Sequence, residues 1–350
     1  MQIKFLLRIK YTLLLILIIG QVSCYTVPLE IRKDNPIEQL AYKYSIHLDS
    51  TWSTKQAQTL EGILESISPN PGEKLTPSKW KISNDEMQND VQIVSQDNMK
   101  FVTISSDVFP EEGAADMVAP ERRLFNATVV FTTENGTNRP ALVTILKERY
   151  GIIVDIPSYE ILTQHTTQET TRHYAEFENK DLMLLISVFE DFPRALHKVP
   201  QLKYVICRID DKVRAAGVAW TTMGYIELVQ SMFNRDYTSD TRRVIAHEKA
   251  HFLWTHLFPE QLKNNWIELG GWYEDKDPEN EEGWLTTKER KTFVSDYAQQ
   301  KNPNEDMAES LAFYLVYPDK LRSINPAKYD FIHNRIMKTY GSRYISLNPM

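Results

Sequence analysis

Cysteine is nearly absent, with Cys24 and Cys207 the only two in 350 residues. Two cysteines cannot make a disulfide framework, so the folded chain depends on a buried core. No repeat period and no low-complexity tract occurs, which argues against a solenoid or a disordered tail. A surplus of positive charge is missing too: 40 Lys and Arg stand against 47 Asp and Glu, for a net charge of −7. That balance argues against nucleic acid or anionic lipid as the main partner. The one long apolar run, residues 13–19, is too short to span a bilayer comfortably; a retained anchor beginning near Phe5 is the alternative reading.

What is present begins with a leader. Lys4, Arg8 and Lys10 precede the apolar run, and Gly20-Gln21-Val22-Ser23-Cys24 closes it. This is the layout of a secretory signal, and it predicts export to the medium, the periplasm or the cell envelope. Cys24 stands where a bacterial lipoprotein carries its lipidated cysteine, although Gln21 replaces the usual Leu three residues earlier. Membrane attachment through Cys24 and ordinary cleavage beside it, with or without a Cys24–Cys207 bridge, are the two readings. Beyond the leader, 42% hydrophobic and 25% charged residues describe a folded soluble chain with room for one large or two modest domains.

Residues 25–115 are the least informative. They predict a helix over 56–67, a proline-bearing break at 68–72 and a strand at 101–104. From about residue 122 the pattern firms. Residues 124–133 read as a strand, Asn135-Gly136 as a turn, 140–150 and 182–192 as helices, and 203–209 as a buried strand. The mixed run 215–228 reads as an edge strand entering a turn, an element that in peptidases commonly pairs with an extended substrate.

Ser239-Asp240 then opens a segment, 241–257, with no Gly or Pro and with Val244, Ile245, Phe252 and Leu253 as apolar anchors. This helix carries His247-Glu248-Lys249-Ala250-His251. Positions i and i+4 share a face, so His247 and His251 can converge on one zinc ion while Glu248 reaches a water that the metal polarises. Two neutral imidazoles as ligands and one carboxylate as base are what this chemistry requires.

A catalytic zinc takes a third protein ligand. His256 fails the metzincin pattern, because Leu257 stands where the third His belongs and Trp254 where a Gly belongs. Glu268 is the runner-up, somewhat close to His251 in sequence. Glu305 is preferred: Asn302 can cap a helix with Pro303 at its first position, leaving Glu305 in the first turn and Glu309 one turn on along the same face. One carboxylate can then ligate the metal while the other accepts the outer N–H of a ligand histidine.

The first motif, taken with Tyr297 and Glu305-Asp306-Met307-Ala308-Glu309, resembles the catalytic domain of the anthrax-lethal-factor-like zinc peptidases, within the gluzincins. The resemblance covers about residues 120–340, is specific only at these two motifs, and departs in the interval between them, which holds an acidic insert at 274–282. It implies an α+β, zincin-like peptidase domain, one Zn2+ per chain, a peptide or protein substrate, Glu305 as third ligand and Tyr297 as an assisting residue. The organisation expected is a leader at 1–24, an N-terminal region at 25–115 without an assigned role, and a catalytic domain at 116–350. The rival readings are a non-catalytic zinc-binding surface module and a structural lipoprotein with incidental histidines. Trp220, Trp266, Trp272 and Tyr273 are expected either to line a substrate groove or, more commonly, to pack in the core.

Overall fold

The computed structural model describes residues 35–67, 75–109, 119–155, 173–209, 215–234 and 238–341. The leader, Cys24 and the stretch 68–72 lie outside them. Among the described residues no helix is long and apolar enough to cross a membrane.

Helix α1 (Pro36–Tyr44) starts at Asn35, whose side chain accepts from the Ile37 N–H ahead of a proline at the first helical position. It leads through β1 (Ile46–Leu48) to α2 (Thr54–Ile67), whose Ala57, Leu60, Leu64 and Ile67 form one buried stripe. Strands β2 (Ser78–Ser83), β3 (Val91–Gln96) and β4 (Met99–Ser105) complete a sheet in the order β1-β2-β4-β3. Its β1, β2 and β4 run parallel, and β3 is antiparallel at the edge. In β2, Ser78 and Trp80 are buried while Lys79 and Lys81 are exposed, the period-two pattern of a sheet covered on one face. Helices α3 (Ala119–Thr132) and α4 (Arg139–Tyr150) pack with α2, and Phe131 meets Trp80 edge-on at 5.0 Å.

The second half builds another mixed sheet. Strands β5 (His173–Ala175), β6 (Tyr204–Ile209), β7 (Gly217–Trp220) and β8 (Tyr225–Val229) lie in the order β5-β6-β8-β7, a central parallel pair flanked by antiparallel edges. Helix α5 (Asn179–Glu190) precedes β6, and α6 (Thr238–His256) follows β8. Next come α7 (Glu260–Leu269), the hairpin β9 (Trp272–Glu274) and β10 (Trp284–Thr286), α8 (Asp296–Gln300) and α9 (Pro303–Val316). Helices α10 (Pro318–Ile324) and α11 (Pro326–Phe331) run into a π-helical turn and α12 (Lys338–Gly341). Helix α6 packs on β7, β8 and α5, and most extensively on α9. One hydrophobic core runs from Trp80 and Phe131 through Phe189 to Phe252 and Leu311. The fold is thus α+β with open sheets.

One expected element is corrected. Residues 124–133 lie mostly in helix α3, not in a strand. Its Val and Thr residues favour strands, but Leu124, Thr128 and Phe131 recur at helical spacing and are buried. The threonine hydroxyls settle into the helix by bonding back to it: Thr128 Oγ1 donates to Leu124 O at 2.8 Å and Thr132 Oγ1 to Thr128 O at 2.9 Å. The run 215–228 resolves into a hairpin, with β7 at the sheet edge and a fully buried β8 inside. The acidic insert is the loop between β9 and β10. Cys207 is a free, buried thiol on β6.

Candidate metal centre

Helix α6 is buried nearly all round from Ile245 to Leu253, because the second sheet, α5 and α9 enclose it. That enclosure takes His247, Glu248 and His251 out of bulk water. Helix α9 brings the opposing wall. Asn302 accepts from the N–H groups of Asn304 and Glu305 at 3.1 and 3.0 Å, with Pro303 following it, so the predicted cap fixes where the first turn begins. Glu305 leaves that turn toward α6.

Three atoms then converge. Nε2 of His247 and Nε2 of His251 are 3.0 Å apart, and Oε2 of Glu305 lies 3.2 and 3.4 Å from them. A tetrahedral zinc with bonds of about 2.0–2.1 Å has donor–donor edges of about 3.4 Å, so this triangle has the size of one face of a zinc shell. Oε2 of Glu305 is also buried without a hydrogen-bond partner. An orphaned carboxylate oxygen costs about 1–3 kcal/mol or more, and a cation at the centre of the triangle would satisfy it. Among the described residues this is the one His, Cys, Asp and Glu cluster that could hold a metal ion. The donor set of two imidazoles and one carboxylate suits zinc and leaves a fourth position open.

The outer nitrogens of both histidines face acceptors, one at ion-pair distance and one in a hydrogen bond. Nδ1 of His247 lies 3.1 Å from Oε1 of Glu309, and Nδ1 of His251 lies 3.1 Å from Oδ1 of Asn304. Each acceptor favours the tautomer that turns Nε2 inward. Burial opposes charge on His247, yet the Glu305 and Glu309 carboxylates prevail and raise its pKa to about 10. Burial works against Glu305 as well, and the two histidines overcome it and hold the carboxyl well below its usual range. The pocket therefore favours positive charge at its centre.

Glu248 lies beside the triangle on α6. Burial raises its pKa, while the histidines and the Ala219 N–H pull the other way. Strand β7 reaches it closely: a Cβ built on Gly217 would stand 2.7 Å from Glu248 Cγ and 2.8 Å from Oε1. Tyr297, half-exposed on α8, has its ring centroid 6.3 Å from that of His247. Partial burial and then the Glu305 carboxylate push its phenol well above the ordinary range.

The structure thus brings together His247, Glu248, His251, Glu305, Glu309 and Tyr297. It leaves Glu268 exposed on α7 and outside the cluster. His256 donates to Thr221 O at 3.0 Å instead of joining the site. Trp266 and Trp272 are buried in packing, and Trp272 donates to Asp306 at 3.1 Å. Sequence reasoning missed Asn304, Gly217 and Arg243. A signal existed for Arg243, which stands one helical turn before His247; Asn304 and Gly217 give none without the tertiary contact. No protein-family model, curated protein or solved structure matches the chain.

Proposed function

We propose that the protein is an exported zinc-dependent peptidase with a zincin-like catalytic region, its metal held by His247, His251 and Glu305. The observation that carries this reading is the donor triangle of zinc dimensions with Glu248 buried at its side. When bound, the ion supplies Lewis acidity, lowering the pKa of water and polarising a carbonyl oxygen. Glu248 accepts the proton of the attacking water and delivers it to the leaving amine; its upward-shifted pKa suits a group that must hold a proton in mid-cycle. Tyr297, at the rim with an un-ionised phenol, donates a hydrogen bond to the oxyanion as charge develops. Strand β7 offers an edge beside Glu248 along which an extended peptide can pair. Glu309 and Asn304 keep the two imidazoles oriented.

The test is metal content by mass spectrometry on purified protein. The wild type is expected to carry about one zinc per chain, as a three-ligand site with an open fourth position does. Zinc is lost in His251→Ala and Glu305→Ala and kept in Glu268→Ala. Glu248→Gln keeps zinc and loses nearly all peptide hydrolysis. A folded, zinc-supplemented wild type without bound metal would sink the proposal, and full activity in Glu248→Gln would remove that residue from the reaction.

A further inference from the structure

Glu309 faces more than His247. Its Oε1, 3.1 Å from His247 Nδ1, also accepts from Arg243 Nη1 at 2.8 Å. Arg243 and His247 are one turn apart on α6, so guanidinium and imidazole rise from the same face and meet a single carboxylate oxygen arriving from α9. The Arg243 guanidinium lies 6.0 Å from the Phe313 ring centroid, and Phe313 stands one turn beyond Glu309.

We propose that Arg243 is a positioning residue for the metal centre, fixing Glu309 and, through it, the tautomer and ring orientation of His247. The inference rests on the reading of His247, His251 and Glu305 as zinc ligands. Its physical basis is directional. A carboxylate held by nothing can turn about its last bond, whereas one whose Oε1 accepts from a guanidinium N–H is anchored where it stands, 3.1 Å from the imidazole Nδ1. Arginine suits the place because its planar donor fork carries permanent charge and is only weakly hydrated, so partial burial costs it little. Arg242, the preceding residue, serves a different purpose: it pairs with Asp191 and donates to Ser187 Oγ at 2.8 Å, tying α6 to α5. Two consecutive arginines thus divide the work, one holding the fold and the other the site.

The experiment measures zinc affinity of the full chain by competition with a chelator for wild type, Arg243→Met, Arg243→Lys, Glu309→Gln, the Arg243→Met/Glu309→Gln double variant and Arg242→Met. Arg243→Met is expected to weaken zinc binding about 10-fold or more, the range known for residues that support metal ligands. Arg243→Lys recovers part of the loss. The double variant binds no worse than Glu309→Gln alone, because the effect of Arg243 passes through that carboxylate. Arg242→Met lowers the unfolding midpoint and leaves zinc affinity nearly unchanged. The visible spectrum of the cobalt-substituted protein shifts in Arg243→Met and not in Arg242→Met. Wild-type affinity in Arg243→Met, or additive losses in the double variant, overturns the inference while leaving the metal site standing. A wild type that binds no zinc overturns both.

Discussion

Each face of helix α6 carries a different chemistry. Toward α9 it presents His247 and His251; on another side, Lys249 is wholly buried with its Nζ 3.3 Å from His197 O and 4.1 and 4.5 Å from the ring centroids of Phe189 and Phe192. Nearby, Arg149 grips Glu190 with two hydrogen bonds of 2.7 Å, and Tyr150 donates to the same carboxylate at 2.7 Å. His197 donates to Phe192 O at 2.8 Å in this setting. Burial, with Arg149, Lys249 and Arg194 nearby, holds its pKa well below 6.5, against which Glu190 Oε2 at 3.8 Å offers little relief. The sign follows. Below pH 6.5 the unfolded chain binds a proton at this imidazole and the native chain does not, so His197 costs stability as the pH falls. His197→Gln keeps a donor for Phe192 O without titrating. Wild type is therefore expected to lose ground to the variant between pH 7 and 5, by up to about 1.4 kcal/mol per pH unit below about 6.5. Urea denaturation across that range checks this, and parallel curves would show that His197 is charged in the fold.

At the scale of elements, β7 and α9 do what α6 cannot do alone. The space for the Glu248 side chain exists because residue 217 has no Cβ; an alanine there would also stand 2.9 Å from Val244 Cγ1. On the proposed zinc-peptidase reading, Gly217→Ala leaves zinc content near that of wild type, since none of the three donors is touched, and lowers peptide turnover about 10-fold or more by displacing Glu248, whose geometry as the base would matter to about an ångström. Metal analysis beside a turnover assay separates the two effects; unchanged turnover would mean that β7 yields and Glu248 stays. The α9 start was legible, because Asn302-Pro303 and the acids after it are local capping chemistry. Strands β2 and β3 were not legible. Their alternation is short and mostly polar, and only Trp80 against Phe131 shows which face is covered.

Across the whole molecule, the C-terminal helices brace the site from behind. Lys328 on α11 and Asp306, next to Glu305 on α9, form an ion pair in which both side chains are fully buried. Trp272 from β9 donates to the same Asp306, and the Lys328 ammonium lies 3.9 Å from the Phe293 ring centroid. Three distant segments therefore meet at the residue beside the Glu305 carboxylate. Lys328→Met strands the Asp306 charge in the core and should cost about 3–5 kcal/mol. Urea unfolding of the two proteins measures it, and a loss below about 1 kcal/mol, the scale of an exposed pair, would show that water reaches Asp306.

What the sequence determined by itself is what repeats over a few residues: His247, Glu248 and His251 share a helix because the segment is free of breakers, and Glu305 follows a cap written in Asn302-Pro303. Helical rise and capping are local, so one turn of sequence suffices to specify them. The tertiary structure decided which acid faces the histidines, that Asn304 and Arg243 support the site, and that 124–132 coil rather than extend. Those choices depend on the packing of α6 against α9 and β7, and of α3 within the N-terminal core. Such contacts join residues well apart in the chain, Gly217 with Glu248 and, farther still, His251 with Asn304, and no short window of sequence contains both partners.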